Sequence, residues 1–250
     1  MNKIVEGMIK IDYFVYKTTL MANIKKCECS DCQFRDVAFS TLKETEVTRL
    51  CDYRMEYTFS RGGIIHKEGD PIQEFKYLKS GLVKVYRQSQ SGEEQIITIT
   101  RPFEFVSNIS IFSEEEYKYS VMAIEDTVIC SIRLDYIRSL VLQHGNFALE
   151  LMTKISQITD KIIMQSLDIR NRHLAGRVAY VLLYFSRDIY RSMIFDLPVS
   201  RKEIADYISM STANVIRTLS DFRKEGIINL NGKTVEILSL KTLELISSRG

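Results

Sequence analysis

The sequence predicts an α+β chain in which an antiparallel β-barrel is followed by one long helix and then by a helix-turn-helix closed with a hairpin. Three observations predict it. Between Tyr57 and Arg133, short apolar runs are divided by turn signals at Arg61-Gly62-Gly63, Glu68-Gly69-Asp70-Pro71, Lys79-Ser80-Gly81, Ser91-Gly92-Glu93 and Arg101-Pro102, the spacing of an antiparallel barrel. From Phe147 the apolar period becomes helical. From Ser200 to Gly226 two short amphipathic patterns are separated by Ser209-Met210, and an Asn-Gly pair follows at 231–232.

Within the barrel region, Val83 and Val85 alternate with Lys84 and Tyr86, and Ile97 and Ile99 alternate with Thr98 and Thr100. This predicts strands with one buried face, the valines and isoleucines inward. Ahead of them, Ser40, Leu42, Glu44 and Val47 predict a short capped helix over 39–50. Residues 1–26 show no period, and no function is placed there.

Leu151, Ile155, Ile158, Ile162, Gln165 and Ile169 step by four, three, four, three and four, which is a heptad seam with one polar member. A second copy of the same helix is the expected partner, the alternative being a helix packed on its own barrel. Asp168 to His173 interrupts the seam and marks a hinge. Leu174 to Tyr190, with Val178, Val181, Leu182 and Phe185, starts the next helical region.

The last segment is the most informative. Ser200 followed by Glu203 is a capping box, and Ile204, Tyr207 and Ile208 form the apolar stripe of a short helix. Ser211 caps a second helix, which buries Val215, Leu219 and Phe222. Its other face keeps Thr212, Ala213, Asn214 and Arg217, and an arginine there can reach a guanine edge or a phosphate in a DNA major groove. Asn231-Gly232 between two β-rich runs predicts a type I′ hairpin, the wing. Arg201, Lys202 and Lys233 are the expected phosphate contacts. The bland reading, any helical subdomain closed by a hairpin, is weakened by the wing.

Composition limits the alternatives. Thirty-four basic and 32 acidic residues leave a net charge of +2, so affinity for nucleic acid must be local to 200–250. No apolar run approaches the ~20 residues of a membrane span, and the charged residues from Lys3 to Lys17 argue against a signal peptide, so a cytoplasmic protein is expected. No acid/base pair, nucleophile elbow or phosphate loop is visible, so no enzyme is expected. Five cysteines, an odd number, direct attention to metal or redox chemistry rather than to a disulfide framework.

Glu203-Ile204, Val215, Arg217, Leu219 and the Asn-Gly-Lys-Thr run resemble the C-terminal domain of Crp/Fnr-family transcription regulators. Phe75-Lys-Tyr77-Leu-Lys-Ser-Gly81, Gly92-Glu-Glu-Gln and Pro102 resemble the cyclic-nucleotide-binding-type jelly roll of the same family. The resemblance implies an N-terminal extension over 1–35, a jelly-roll sensor barrel over 36–146, a dimerisation helix over 147–170 and a winged helix-turn-helix domain over 171–250. It also implies a homodimer that binds palindromic promoter DNA, with RNA polymerase as a further partner of an activator and no membrane.

The signal is less legible. The family's nucleotide binders carry Gly-Glu and then Arg-Ser, where this chain has Ser107-Asn108 and Tyr119-Ser120. Without that arginine a cyclic AMP phosphate would be buried unpaired, so cyclic AMP is disfavoured. Cys130 stands where the oxygen sensor of the family has its internal cluster ligand, and Cys29-x-x-Cys32 resembles two of its N-terminal ligands. Ala38 replaces the third, and Cys27 would have to substitute for it. Cys27, Cys29, Cys32 and Cys130 are thus the candidate ligands of a [4Fe–4S] cluster, or of zinc, with Cys51 in reserve. Cys51 and Cys130 taken singly read more readily as small core hydrophobes, whereas Cys27, Cys29 and Cys32 sit among Lys25, Lys26, Glu28 and Asp31, which is no core composition. The three histidines, His66, His144 and His173, form no haem-ligand motif. A cyclic-nucleotide or haem sensor, and a jelly-roll protein that binds metal or regulates without binding DNA, are the competing readings.

Overall fold

The computed structural model describes residues 39–90, 92–106 and 110–248. These form two compact units. One holds the residues up to Val83 together with Thr100–Ile155, and the other holds Lys84–Ile99 with the residues from Ser156 onward. In chain order the elements are α1 (Glu44–Asp52), β1 (Arg54–Phe59), β2 (Ile64–His66), β3 (Glu74–Ser80), β4 (Val83–Gln88), β5 (Glu94–Thr100), β6 (Ser120–Ala123), β7 (Thr127–Arg133), α2 (Leu134–Gln143), α3 (Gly145–Arg170), α4 (Leu174–Tyr184), β8 (Ile194–Asp196), α5 (Arg201–Ile208), α6 (Thr212–Lys224), β9 (Ile228–Asn231), β10 (Thr234–Ile237) and α7 (Leu240–Ser248). A single π-helical turn, Phe185–Ile189, prolongs α4.

In the first unit β7 pairs antiparallel with β1 on one side and β3 on the other, which sets Cys130 opposite both Glu56 and Tyr77. A β-branched central strand suits this place, and Ile129, Cys130 and Ile132 are wholly buried. Each such isoleucine contributes about 1.5–3 kcal/mol of burial. Gly81 is required at the turn after β3: its φ is +82°, and a Cβ there would meet the Asp126 carbonyl oxygen at 2.4 Å. β2 pairs with β6, with a bulge between Ile64 and His66.

The second unit packs α4 against α5, α6 and α7 around Val178, Leu182, Phe185, Ile204, Val215, Leu219 and Leu243. β8, β10 and β9 form its antiparallel sheet, in that order. Among the described residues no helix is long and apolar enough to cross a membrane.

Several expectations need correction. The first described helix begins at Glu44, with Lys43 as its N-cap, and the hydroxyl of Ser40 donates instead to Glu150 Oε1 (2.7 Å). Lys84 and Tyr86 are buried along with Val83 and Val85, and on β5 Thr98 and Thr100 are buried while Ile97 is half-exposed, so the expected alternation fails at these positions and solvent reaches the polar residues Arg87, Gln88 and Gln95 instead. In the wing Asn231 pairs with Thr234, so the two-residue loop is Gly232-Lys233 and only Gly232 takes a positive φ, of 59°. The helical break between α3 and α4 covers only residues 171–173, because α3 runs on to Arg170. Helices α2 and α7 and strand β8 go beyond the elements expected from sequence.

The long helix has two apolar faces. Leu151 and Ile169 of the seam are buried, and Ile155, Ile158, Ile162 and Gln165 are half-buried. On other sides Leu149, Met152, Ile163, Met164 and Leu167 are exposed, Met152 by 65% and Ile163 by 51%.

Candidate nucleic-acid interface

Local chemistry builds the helix-turn-helix. The Glu203 amide donates to Ser200 Oγ (3.2 Å) and the Ser200 amide donates to Glu203 Oε2 (2.8 Å), so both halves of the capping box form. α5 ends at Ser209, a left-handed residue with φ 54°, and the Met210 amide closes the turn onto the Ala205 carbonyl (3.0 Å). The Asn214 amide then donates to Ser211 Oγ (3.2 Å), which starts α6 where the sequence placed it.

Arg177 of α4 locks this turn. Its guanidinium donates to the carbonyls of Ile208 and Ser209 (both 3.3 Å) at the end of α5 and to that of Arg170 (3.2 Å) at the end of α3. A cation on the last carbonyls of two helices also opposes their negative dipole ends. No helical spacing signals this role, because the carbonyls it serves lie up to 32 residues away.

The outward face of α6 carries Ala213 and Arg217, both exposed, with Thr212 and Asn214 half-buried beside them. Ile216 is 53% exposed on the same face. Helical periodicity alone overlooks Ile216, since it stands between a core valine and the arginine, and its exposure is the signal that it serves something other than the core.

The expected phosphate contacts are placed differently from one another. Arg201 is half-buried and donates to the Gly232 carbonyl (2.8 Å), which fastens the wing turn to α5. Lys202 is exposed and pairs with Asp206 (3.0 Å). Lys233, at the wing tip, pairs with Asp196 (2.9 Å), whose carboxyl is held below its usual range by the Thr234 hydroxyl and then by Lys233. Ion pairs in open solvent are weak, so a DNA phosphate can take over Lys202 and Lys233.

The candidate metal ligands are not brought together within the described residues. Cys27, Cys29 and Cys32 lie outside them. Cys130 is wholly buried on β7, and Cys51 stands half-buried on α1. Among the described residues no group of three potential ligands could hold a metal ion. Cys130 is a soft donor that suits iron–sulfur or zinc chemistry, but the described residues supply only this one thiol of the proposed set.

At the position relevant to a cyclic nucleotide, the Ser120 hydroxyl is buried and accepts from the Glu68 amide (3.0 Å), and Tyr119 stands half-buried beside it. Ser107 and Asn108 lie outside the described residues. The histidines are dispersed. His66 is buried against Tyr117, with ring centroids 3.7 Å apart, and burial and then Lys76 push its pKa well below the usual value. His144 meets Glu46 (2.8 Å), and His173 precedes α4 as its N-cap.

A winged helix-turn-helix with an exposed recognition face, preceded by antiparallel sheets and a long helix, defines a DNA-binding transcription regulator. Comparison with known proteins makes the class specific. Residues 56–144 match the cyclic nucleotide-binding domain and residues 176–246 match the Crp-like helix-turn-helix domain, and the chain belongs to the Crp/Fnr family of transcription regulators.

The chain is 25% identical over 240 residues to the transcriptional activator protein anr of Pseudomonas aeruginosa, covering 94% of this chain and 97% of that protein. It is 24% identical to the anaerobic regulatory protein of Pasteurella multocida, covering 86% of this chain and 81% of the relative. Among solved structures, FixK2 from Bradyrhizobium japonicum superposes with a TM-score of 0.70 at 20% identity, covering 79% of this chain and 98% of that one. A CRP-family transcriptional regulator from Thermus thermophilus gives 0.67 at 20% identity, covering 77% and 97%.

Proposed function

We propose that the protein binds a palindromic promoter site as a homodimer and adjusts that binding to a redox or oxygen signal, with RNA polymerase as a further partner if it activates. The observation that carries the DNA reading is the outward face of α6, where Arg217, Ala213 and Ile216 are exposed beside a half-buried Thr212. Arg217 selects a guanine, and Ala213 and Ile216 meet thymine methyl groups. Half-sites about one helical turn apart, ~34 Å, match a two-fold pair of such helices.

In vitro selection from random DNA, repeated with Arg217→Ala, tests this. The variant loses ~1–3 kcal/mol of specific binding and flattens preference at one position. An unchanged preference would remove α6 as the recognition helix. Lys202→Ala and Lys233→Ala should each weaken all sequences alike and lower the salt slope by about one.

The dimer forms along α3. Leu151 and Ile169 are covered within the single chain, whereas Ile155 and Ile162 keep part of their surface and Met152 and Ile163 stand exposed next to them. For the signal, support comes from the name of a relative, an anaerobic regulatory protein, and from the thiols Cys27, Cys29, Cys32 and Cys130. A [4Fe–4S] cluster on these thiolates would supply oxygen-sensitive chemistry, and zinc would supply only structure.

Anaerobic purification with iron, sulfide and zinc analysis decides between them. The cluster reading expects iron and sulfide, lost in Cys29→Ala and Cys130→Ala. Metal-free protein with unaltered DNA binding in a Cys27, Cys29, Cys32→Ala variant would end the metal reading.

A further inference from the structure

The hairpin of β4 and β5 is fastened to the helices at two points. Lys84, on β4, is buried, its side chain 3% exposed. Its ammonium donates to Glu94 on β5 and to Glu203 Oε1 on α5, the latter at 2.8 Å. The other oxygen of Glu203 is the one that closes the capping box, so a single carboxylate both starts α5 and holds the hairpin. At the end of β5 the Tyr184 hydroxyl, on α4, donates to the Ile99 carbonyl (2.9 Å) in a buried contact.

Burying an ammonium is costly unless it is paired, and this one sits between two acids that would otherwise face each other. The contact is therefore specific in both charge and position. Lys84 and Ile99 lie in the segment that matches the cyclic nucleotide-binding domain, whereas Tyr184 and Glu203 lie in the segment that matches the helix-turn-helix domain. The compact unit that holds Lys84–Ile99 is nevertheless that of the helices. The hairpin thus belongs to one domain by sequence and to the other by packing.

We propose that Lys84 and Tyr184 are positioning residues for DNA binding: they bind the β4–β5 hairpin to α5 and α4, so that the hairpin sets the orientation of the recognition helix. Neither residue touches DNA in this scheme. If release of the hairpin lowers the fraction of protein in the binding orientation to about one fifth, the apparent Kd rises about fivefold.

The test uses the full-length protein and the DNA recovered by selection, with fluorescence anisotropy at several salt concentrations and amide hydrogen exchange on the free protein. Lys84→Met and Tyr184→Phe should each weaken specific binding by about fivefold, with base preference and salt slope unchanged, and should speed exchange across Ile204–Ile208. Glu203→Gln combined with Lys84→Met should weaken binding no further than either alone, and Lys84→Arg, which keeps the cation, should restore it to within about twofold.

Should Lys84→Met fail to fold, Tyr184→Phe, which removes one oxygen and no charge, decides the matter. Affinity and exchange unchanged or tightened in the folded variants would overturn the proposal. A salt slope lowered by about one in Lys84→Met would also overturn it, because it would show Lys84 meeting phosphate directly.

Discussion

Two tyrosines of the second unit should respond in opposite directions to the same substitution. Tyr207, on α5, is buried and its hydroxyl has no hydrogen-bond partner among the described residues. Tyr184 is equally buried, but its hydroxyl donates to the Ile99 carbonyl. A buried hydroxyl left without a partner costs ~1–3 kcal/mol. Tyr207→Phe removes that cost and loses only the dispersion contacts of one oxygen, so it should stabilise the protein by about 1 kcal/mol. Tyr184→Phe gives up a hydrogen bond and leaves a buried carbonyl with one partner fewer, so it should destabilise by about 1–2 kcal/mol.

For a chain of this length 1 kcal/mol moves Tm by roughly 2–4 °C, which thermal melts followed by circular dichroism resolve. Protein concentration must be held constant, since the proposed dimer would make Tm depend on it. Burial, and then the neighbouring Tyr180 and Tyr184, push the Tyr207 phenol well above its usual pKa, so its gain should not vary across neutral pH. A lower Tm for Tyr207→Phe, or a rise for both variants, would refute the reasoning.

Met152→Asp and Ile163→Asp place charges on side chains that are exposed in the single chain, so they should leave the fold intact and yet convert the proposed dimer to monomers in sedimentation at tens of micromolar; a wild-type monomer would end the dimer model. Stability should also carry an acid limb from Glu203. Burial opposes its ionisation most, but the Lys84 ammonium and the Ser200 amide together outweigh that and hold its pKa below the ordinary 4.5. A carboxyl depressed in the folded state contributes stability that is complete above its unfolded pKa and is lost as pH falls through the folded one. Urea unfolding at stepped pH should therefore show a decline below about pH 4.5 that is shallower in Glu203→Gln. Equal slopes in the two proteins would show that Lys84 does not hold that carboxylate.

The parts of this protein that were legible in its sequence are those whose causes lie within one or two helical turns. Ser200 with Glu203 and Ser211 with Asn214 are caps formed between residues three apart, and the Ile204, Val215 and Leu219 stripes need only the helical period. The same local logic put Arg217 and Ala213 on the outward face of α6. It also recognised the long helix, but not which of its apolar faces the chain itself covers.

Tertiary structure decided whatever depends on distant partners. Lys84 reads as a surface residue of an alternating strand, and it is buried because a carboxylate 119 residues away neutralises it. Asn231-Gly232 reads as the two residues of a hairpin loop, yet the register sets the loop one residue later, where the Gly232 carbonyl meets Arg201, 31 residues away in sequence. Period and propensity describe an element and its own faces. Which face is covered, and which charge finds its counterpart, is settled only when elements far apart in sequence pack together, since the energy of a buried charge depends on what stands beside it.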